Sequence, residues 1–476
     1  MADKQEDTAL LPVDDKIDLF DDTMSWEKLS VPESIMELLH ASGFHMPTKT
    51  QVAAIKPILC DRKRSGLLEA PTGTGKTISF LTVAMSHITP DKSLPQAVII
   101  APTKILCRQI YGVAENLAKG SNIRVSLCFA KDELNEGELN PTAHIVIGTI
   151  HSLLNNFSGK IVVKGKTRIA ERATFDCTAI NTIIIDEADY FIENKHEISK
   201  FIEIAPKKTR RYLYSATMPS EVVDTMVKEW LDVDNPYFVE RVNIYLGNSV
   251  QFSLCCTEAD KTVALDKVIN LEIYKKGAQS IIFCKTRKFV DECYRVMKNA
   301  GYSCSRYHSD MSKEAKMAEF EKFRKRETNC LITTDGLARG IDVATIRLVV
   351  NYNPPVKWVN NGDEVADPTL YTHRIGRGGR FGKATVSITL YEKDTEEVYM
   401  NKIIEHIDEK YATQKRTEHV ITSLDSVDEI KEKVESIVRK VDDEISREID
   451  EQNKKTEKRN EDGRAERRDD VEGLEL

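Results

Sequence analysis

The residues richest in chemistry lie in one turn, Ala70-Pro71-Thr72-Gly73-Thr74-Gly75-Lys76-Thr77, directly after the apolar stretch Leu67-Leu68-Glu69. The order is strand, glycine-containing loop, helix start. In such a loop backbone N–H groups converge on phosphate oxygens, a lysine neutralises them, and a hydroxyl at the helix N-terminus ligates Mg²⁺. Lys76 and Thr77 are those two residues, and Gly73, Thr74 and Gly75 form the cradle. Ala70 stands where the strict pattern has glycine. A second cluster supplies acids: Ile183-Ile184-Ile185 runs straight into Asp186-Glu187-Ala188-Asp189. A carboxylate ending a buried strand beside a phosphate loop is where a nucleotide's Mg²⁺ is held. Asp186 suits the metal, through water, and Glu187 is placed to orient and deprotonate an attacking water.

Such groups need strands to carry them. Val98-Ile99-Ile100, Ile145-Val146-Ile147, Ile183-Ile184-Ile185 and Tyr212-Leu213-Tyr214 read as buried parallel strands. A second series follows at Ile281-Ile282-Phe283, Leu331-Ile332, Leu348-Val349-Val350 and Val386-Ser387-Ile388. Two series of strand–helix repeats predict two α/β domains, parallel sheets with flanking helices, joined near 240–252. The expected organisation is an acidic flexible tail over 1–24, a first domain over 25–245, a second over 246–425, and a tail over 426–476. In that last segment Val427, Ile430, Val434, Ile437, Val441, Ile445 and Ile449 recur at helical spacing, and from Gln452 onward most residues are charged.

The bulk numbers set limits. Of 476 residues, 41% are apolar and 30% charged, enough for large cores under a solvated surface. The formal net charge is -8. A protein that held nucleic acid by bulk attraction would be basic, so any nucleic acid here must be gripped in a local groove. Eight acids against two lysines in the N-terminal 22 residues do not make a signal peptide. No apolar run approaches the ~18 residues of a membrane span, so a soluble intracellular protein is expected. The ten cysteines form no Cys-x-x-Cys pair and no cluster with histidine at metal spacing, which reads as reduced thiols.

Taken in order, the motifs resemble those of the DEAD-box RNA helicases over about residues 25–425. Asp186-Glu187-Ala188-Asp189 is the DEAD box itself. Gly43-Phe44 with Pro47, Thr48 and Gln51 resembles the Q motif, with Trp26 as its isolated upstream aromatic. Pro102-Thr103-Lys104 looks like motif Ia, Gly148-Thr149 like Ib, and Ser215-Ala216-Thr217 like III. Ile282 to Arg287 resembles motif IV, Thr333-Thr334-Asp335 through Asp342 motif V, and His373 to Arg380 motif VI.

The resemblance implies two tandem RecA-like domains that close over ATP, Mg²⁺ and single-stranded RNA. Gln51 would read adenine's edge and Phe44 would pack on the ring. Asp342 would meet the ribose. Arg377 and Arg380 would reach the γ-phosphate like arginine fingers, with His373 in the same motif. Asp189, Ser215, Thr217 and Arg374 would couple the domains. Thr103, Lys104, Gly148, Thr149, Arg287 and Thr334 would meet RNA phosphates and 2′-hydroxyls, which makes binding sequence-independent.

Departures fall mostly on the RNA side. Lys104-Ile105-Leu106-Cys107 replaces the usual end of motif Ia, Ile150-His151-Ser152 follows Thr149, and Lys313 and Lys316 stand where the family has glutamine and arginine. Gly378 replaces a common threonine. The long stretches Asn360-Asn361-Gly362-Asp363-Glu364 and Cys60 to Ser65, with Ser423 to Ile430, resemble the mRNA-export helicases of the nuclear pore. The stretch Ser158 to Thr174 and the end of the chain do not. That branch implies a monomer in cytoplasm and nucleus, concentrated at the pore, with nucleoporins and an inositol-hexakisphosphate-dependent activator as partners. The acidic insert at 362–367 would steer a basic partner; the alternative is a solvated loop. Competing readings are an RNA clamp with low turnover, a DNA motor, and a helicase of translation or ribosome biogenesis.

Overall fold

The structure, a computed structural model, describes residues 20–21, 23–61, 63, 65–130, 133–158, 160–163, 166–169, 174–231, 237–242, 249–269, 278–337, 343, 345–359, 362–378, 385–412, 421–424, 426 and 429. Expectations that rest on Asp342 and Arg380, on most of the N-terminal tail, on the join at 243–248 and on 431–476 lie outside the described residues.

The first domain is built on β1 (Ser65–Glu69), β2 (Ala97–Ile100), β3 (Val125–Cys128) and β4 (Ile145–Gly148). After a separate antiparallel hairpin of β5 (Lys160–Val163) and β6 (Lys166–Ile169) come β7 (Thr182–Asp186), β8 (Arg210–Ser215) and β9 (Tyr237–Arg241). The second domain contains β10 (Ser249–Cys255), β11 (Gln279–Phe283), β12 (Cys304–Tyr307), β13 (Cys330–Thr333) and β14 (Ile346–Asn351). A second hairpin, β15 (Val356–Trp358) and β16 (Glu364–Ala366), precedes β17 (Thr385–Tyr391) and β18 (Ile421–Leu424). The sheets are ordered β3-β4-β2-β7-β8-β1-β9 and β12-β13-β11-β14-β17-β10-β18, and the pairings within both are parallel. When each sheet's strands are counted in chain order, both run 3-4-2-5-6-1-7. The same winding occurs twice, giving two tandem RecA-like domains.

Parallel strands covered on both faces need apolar residues in both phases of the pleat. Ile184 joins a core with Leu68, Ile99 and Tyr212, while Ile183 and Ile185 join another with Leu67, Val98 and Phe201. In the second sheet Ile282, Ile332 and Val350 face one way and Ile281, Leu331 and Val349 the other. Each such side chain contributes about 1.5–3 kcal/mol on full burial. This accounts for the continuous apolar runs of the sequence.

Parallel winding also decides where the motifs go. Loops at the carboxyl ends of the strands carry the phosphate loop after β1, motif Ia after β2, Ib after β4, the DEAD box after β7 and motif III after β8. Motifs IV and V follow β11 and β13 in the second sheet. These edges face each other. Ile105 of the first domain packs on a second-domain cluster that includes Ile281, Phe283 and Phe320, and Lys313 Nζ lies 4.0 Å from Glu133 Oε1.

The insert before motif VI is not a plain solvated loop. It forms the β15–β16 hairpin, anchored by an ion pair between Lys285 of motif IV and Glu364. Trp358 stands 68% exposed on it. All ten cysteines are free thiols, and among the described residues no helix is long and apolar enough to cross a membrane.

Candidate nucleotide cleft and interdomain contact

The phosphate loop is clamped from below by the Q motif. Thr48 caps the helix Lys49–Leu59 in a capping box: Thr48 N–H donates to Gln51 Oε1 at 2.7 Å and Gln51 N–H to Thr48 Oγ1 at 3.2 Å. The Thr48 hydroxyl then donates to Thr74 O at 2.8 Å. Gly75 has φ 104, and a Cβ there would sit 2.7 Å from Gln51 Nε2, so only glycine fits. The Gln51 carbonyl that was expected to read adenine therefore already serves the Thr48 turn, and its NH₂ lies against the loop. Trp26, fully buried, donates from Nε1 to Phe44 O at 2.9 Å and so fixes the Phe44 turn.

Lys76 is buried with Nζ on Ala70 O at 2.7 Å and Pro71 O at 3.3 Å. Burial pulls its pKa down, while Glu187 and Asp186 hold it up. A buried ammonium resting on loop carbonyls is ready to turn to phosphate oxygens. Asp186 ends β7, and its Oδ1 accepts the Glu187 N–H at 3.0 Å. Burial, and then the Glu187 charge, push its carboxyl up to about 7. Glu187 takes φ 52, a left-handed conformation that costs a side-chain-bearing residue about 1–3 kcal/mol. Its Oε2 is buried with no hydrogen-bond partner, 3.8 Å from His373 Nδ1, and Oε1 lies 4.0 Å from an Arg377 nitrogen. A buried acceptor left this way is costly unless a water or ligand supplies the donor.

Asp189 is the meeting point of the two domains. Ser215 Oγ donates to Oδ1 at 2.6 Å, and Oδ2 lies 3.3 Å from Thr217 Oγ1 and 3.1 Å from His373 Nε2. Thr217 Oγ1 is also 3.3 Å from His373 Nε2. Glu187, Asp189 and His373 bring ligand-type atoms within 4.8 Å of one another. Of these, Asp189 and His373 Nε2 are engaged with each other, while Thr77 lies in the first turn of the helix Lys76–Ser86 that follows the phosphate loop.

Arg374 corrects an expectation. Nε donates to Asp335 Oδ1 at 2.6 Å, and NH1 to Asn353 O at 3.0 Å and Asn351 Oδ1 at 3.3 Å. Its guanidinium lies 5.4 Å from the Phe283 ring centroid. All these partners belong to the second domain, so Arg374 ties motif VI to motifs IV and V and does not join the Asp189 contact. Behind it stands a pair the sequence did not reveal: Asn353 Nδ2 donates to Glu396 Oε1 at 2.7 Å, and fully buried Lys261 to Glu396 Oε2 at 2.9 Å. Those residues lie in different elements with no local spacing to betray them.

Arg377 is buried, with Nε on His373 O at 3.0 Å. A Cβ on Gly376 would come 3.0 Å from Thr72 Oγ1, so the end of the motif VI helix abuts the phosphate loop. The residues that the resemblance would assign to RNA lie at or just after the carboxyl ends of their strands. Thr103 caps the helix Lys104–Leu117, Lys104 pairs with Glu133 at 2.6 Å, and Arg287 pairs with Asp310. Thr149 Oγ1 lies 3.1 Å from Ser152 Oγ, a Cβ on Gly148 would sit 2.9 Å from Cys128 O, and Thr334 O accepts from Thr333 Oγ1 at 3.1 Å.

Two RecA-like domains, with a phosphate loop on one and the buried Arg377 of the other 4.0 Å from Glu187 beside it, have the architecture of a nucleotide-driven motor. The chain matches the DEAD/DEAH box helicase family over residues 48–226 and the helicase conserved C-terminal domain over 260–382. It is 30% identical over 383 residues to ATP-dependent RNA helicase DBP5 of Mycosarcoma maydis, covering 80% of this chain and 79% of that one. It is 32% identical over 375 residues to eukaryotic initiation factor 4A of Cryptosporidium parvum, covering 78% and 85%. The structure of S. cerevisiae Dbp5 bound to RNA and ADP BeF3 matches with TM-score 0.72 at 28% identity, over 88% of this chain and 99% of that one. A Dbp5 complex with Nup159, Gle1, IP6 and ADP matches with TM-score 0.55 at 26% identity, over 86% and 99%. The chain belongs to the DEAD-box family of ATP-dependent RNA helicases.

Proposed function

We propose that this protein is an RNA-stimulated ATPase that remodels RNA–protein complexes during export of mRNA from the nucleus. The observation that carries the ATPase cycle is the contact of His373 with Asp189, because it forms only when the second domain lies against the DEAD box. Lys76 and the loop N–H groups hold the phosphates. Glu187, whose Oε2 has no donor, accepts the proton of the attacking water. Arg377, together with Arg380, places positive charge at the γ-phosphate as the transferred group separates. Phe44 and the Gln51 NH₂ would meet adenine, and Asp342 the ribose.

Mg²⁺ fits the donor set. Asp186 keeps one oxygen free of the Glu187 N–H, and burial with the Glu187 charge disfavours its ionised form, a cost that a bound dication would offset. With Thr77 it would hold the ion, which supplies charge neutralisation at the phosphate oxygens.

Thr103, Lys104, Gly148, Thr149, Arg287 and Thr334 receive a single RNA strand along the facing edges, without reading bases. The export assignment rests on likeness to Dbp5 over nearly the whole of that chain and on the hairpin that the insert forms. It extends to a monomer that shuttles between nucleus and cytoplasm and meets a nucleoporin and an inositol-hexakisphosphate-dependent activator at the pore. The 32% identity to initiation factor 4A supports translation as a second reading. Two measurements test these readings. ATP turnover should rise with single-stranded RNA and not with single-stranded DNA. Depletion should retain poly(A) RNA in the nucleus; loss of polysomes with normal poly(A) distribution would select translation.

A further inference from the structure

A groove of about 940 Å³ lies on the second domain along the helix Arg287–Asn299 and shares no lining residue with the nucleotide cleft. Five of its lining side chains are cations, Arg287, Lys288, Arg295, Lys298 and Arg306, against the three acids Asp291, Glu292 and Asp310. In a chain of net charge -8 that is a local reversal of sign.

The acids are largely committed. Asp310 pairs with Arg287, Asp291 pairs with Arg306, and Glu292 stands 4.0 Å from Lys288. Arg295 and Lys298, one helical turn apart and exposed, make no ion pair among the described residues. Arg306 is also held over the Tyr294 ring at 4.9 Å, so the charge on the groove floor is fixed in place before anything binds. A guanidinium is weakly hydrated and pairs readily with phosphate, and a pre-held one loses little entropy.

We propose that this groove is a second RNA subsite, which carries the strand onward from motif IV along the helix Arg287–Asn299. The inference rests on the reading of Arg287 as an RNA contact. Continuity is its main support: Thr286 and Arg287, at the end of motif IV, are also the groove's mouth. From Arg287 to Lys298 the helix rises about 16 Å. At the ~3.4 Å per nucleotide of a stacked strand, that is room for about five further nucleotides. Phosphates take the Arg295 and Lys298 cations and displace Asp310 from Arg287, with no base read.

Binding of labelled oligouridines of increasing length to the full chain with ADP·BeF₃ and Mg²⁺ tests this. For the wild type, affinity should rise about tenfold as about five nucleotides are added at one end and then level off. Arg295→Ala/Lys298→Ala should lose that rise, bind the shortest oligomer as the wild type does, and lower the slope of log affinity against log salt by about 1.4, since each phosphate neutralised on a single strand contributes about 0.7. Identical length dependence in the two proteins would overturn the proposal, and is the result a groove made for an acidic protein segment would give. Failure of the wild type to bind any oligomer would instead overturn the reading of Arg287 itself.

Discussion

Nε2 of His373 lies 3.1 Å from Oδ2 of Asp189, a contact between the motif VI helix of one domain and the DEAD box of the other, 184 positions apart. Both groups are buried, and Ser215 and Thr217 hold the carboxylate in place from its own domain. We propose that Asp189 is the gauge by which the nucleotide side senses closure. His373→Ala should leave ATP binding to residues 25–245 untouched. In the full chain the mutual enhancement of ATP and RNA binding should fall about 10- to 100-fold, the range of ordinary coupling energies. Equal coupling in wild type and variant, measured as RNA affinity with and without ADP·BeF₃, would show that the contact does not transmit closure.

Glu187 has one buried oxygen with no donor, and in the proposed mechanism Lys76, Asp186 and the phosphate loop hold the nucleotide independently of it. Glu187→Gln should keep ATP affinity within about twofold of wild type, lower turnover by about 10²–10⁴, and trap the RNA-bound state. Single-turnover hydrolysis at the wild-type rate would remove Glu187 from its role as base.

Arg377 is buried and turned toward Glu187 across the cleft at 4.0 Å. Arg377→Ala should cost on the order of 10³-fold in turnover, as for other arginine fingers supplied in cis. Calorimetric titration of ATP into residues 25–245 should not change, because the arginine lies outside that fragment.

Gly378 stands where the family commonly has threonine, and the structure supplies a reason: a Cβ there would fall 2.1 Å from Thr385 Cγ2. Gly378→Thr should destabilise the protein by about 1–3 kcal/mol through overpacking and disturb the neighbouring Arg377. Adding Thr385→Gly should recover part of both stability and turnover. A double-mutant cycle in melting experiments reads the coupling, and strict additivity would show that the two positions do not compete for space.

The Asp186 carboxyl, held up to about 7 by burial and by Glu187, must be ionised to accept a cation. As the proposed Mg²⁺ ligand it would carry a proton below that pH in the nucleotide-free protein and release it when Mg·ATP binds. Apparent affinity for Mg·ATP should fall as pH drops below about 7, approaching tenfold per unit, with proton release in calorimetry in buffers of different ionisation enthalpy. Asp186→Asn should flatten the profile and abolish the release.

The sequence by itself determined the two α/β units and the chemistry at their loops. Burial in a parallel sheet writes itself as β-branched runs such as Ile183-Ile184-Ile185, and phosphate loops and caps are relations between residues three or four apart, as between Thr48 and Gln51. Contacts between elements left no such trace. Only the tertiary structure decided that Arg374 turns into its own domain while His373 crosses the cleft, although they are neighbours in the chain. It also decided that Trp26 holds the Phe44 turn, that the acidic insert is a hairpin tied to Lys285, and that Lys261 and Glu396 pair behind motif VI. The physical reason is one of range. Local pattern fixes which face of an element is buried, but which side chains meet there depends on how two sheets, wound separately, come to lie edge to edge.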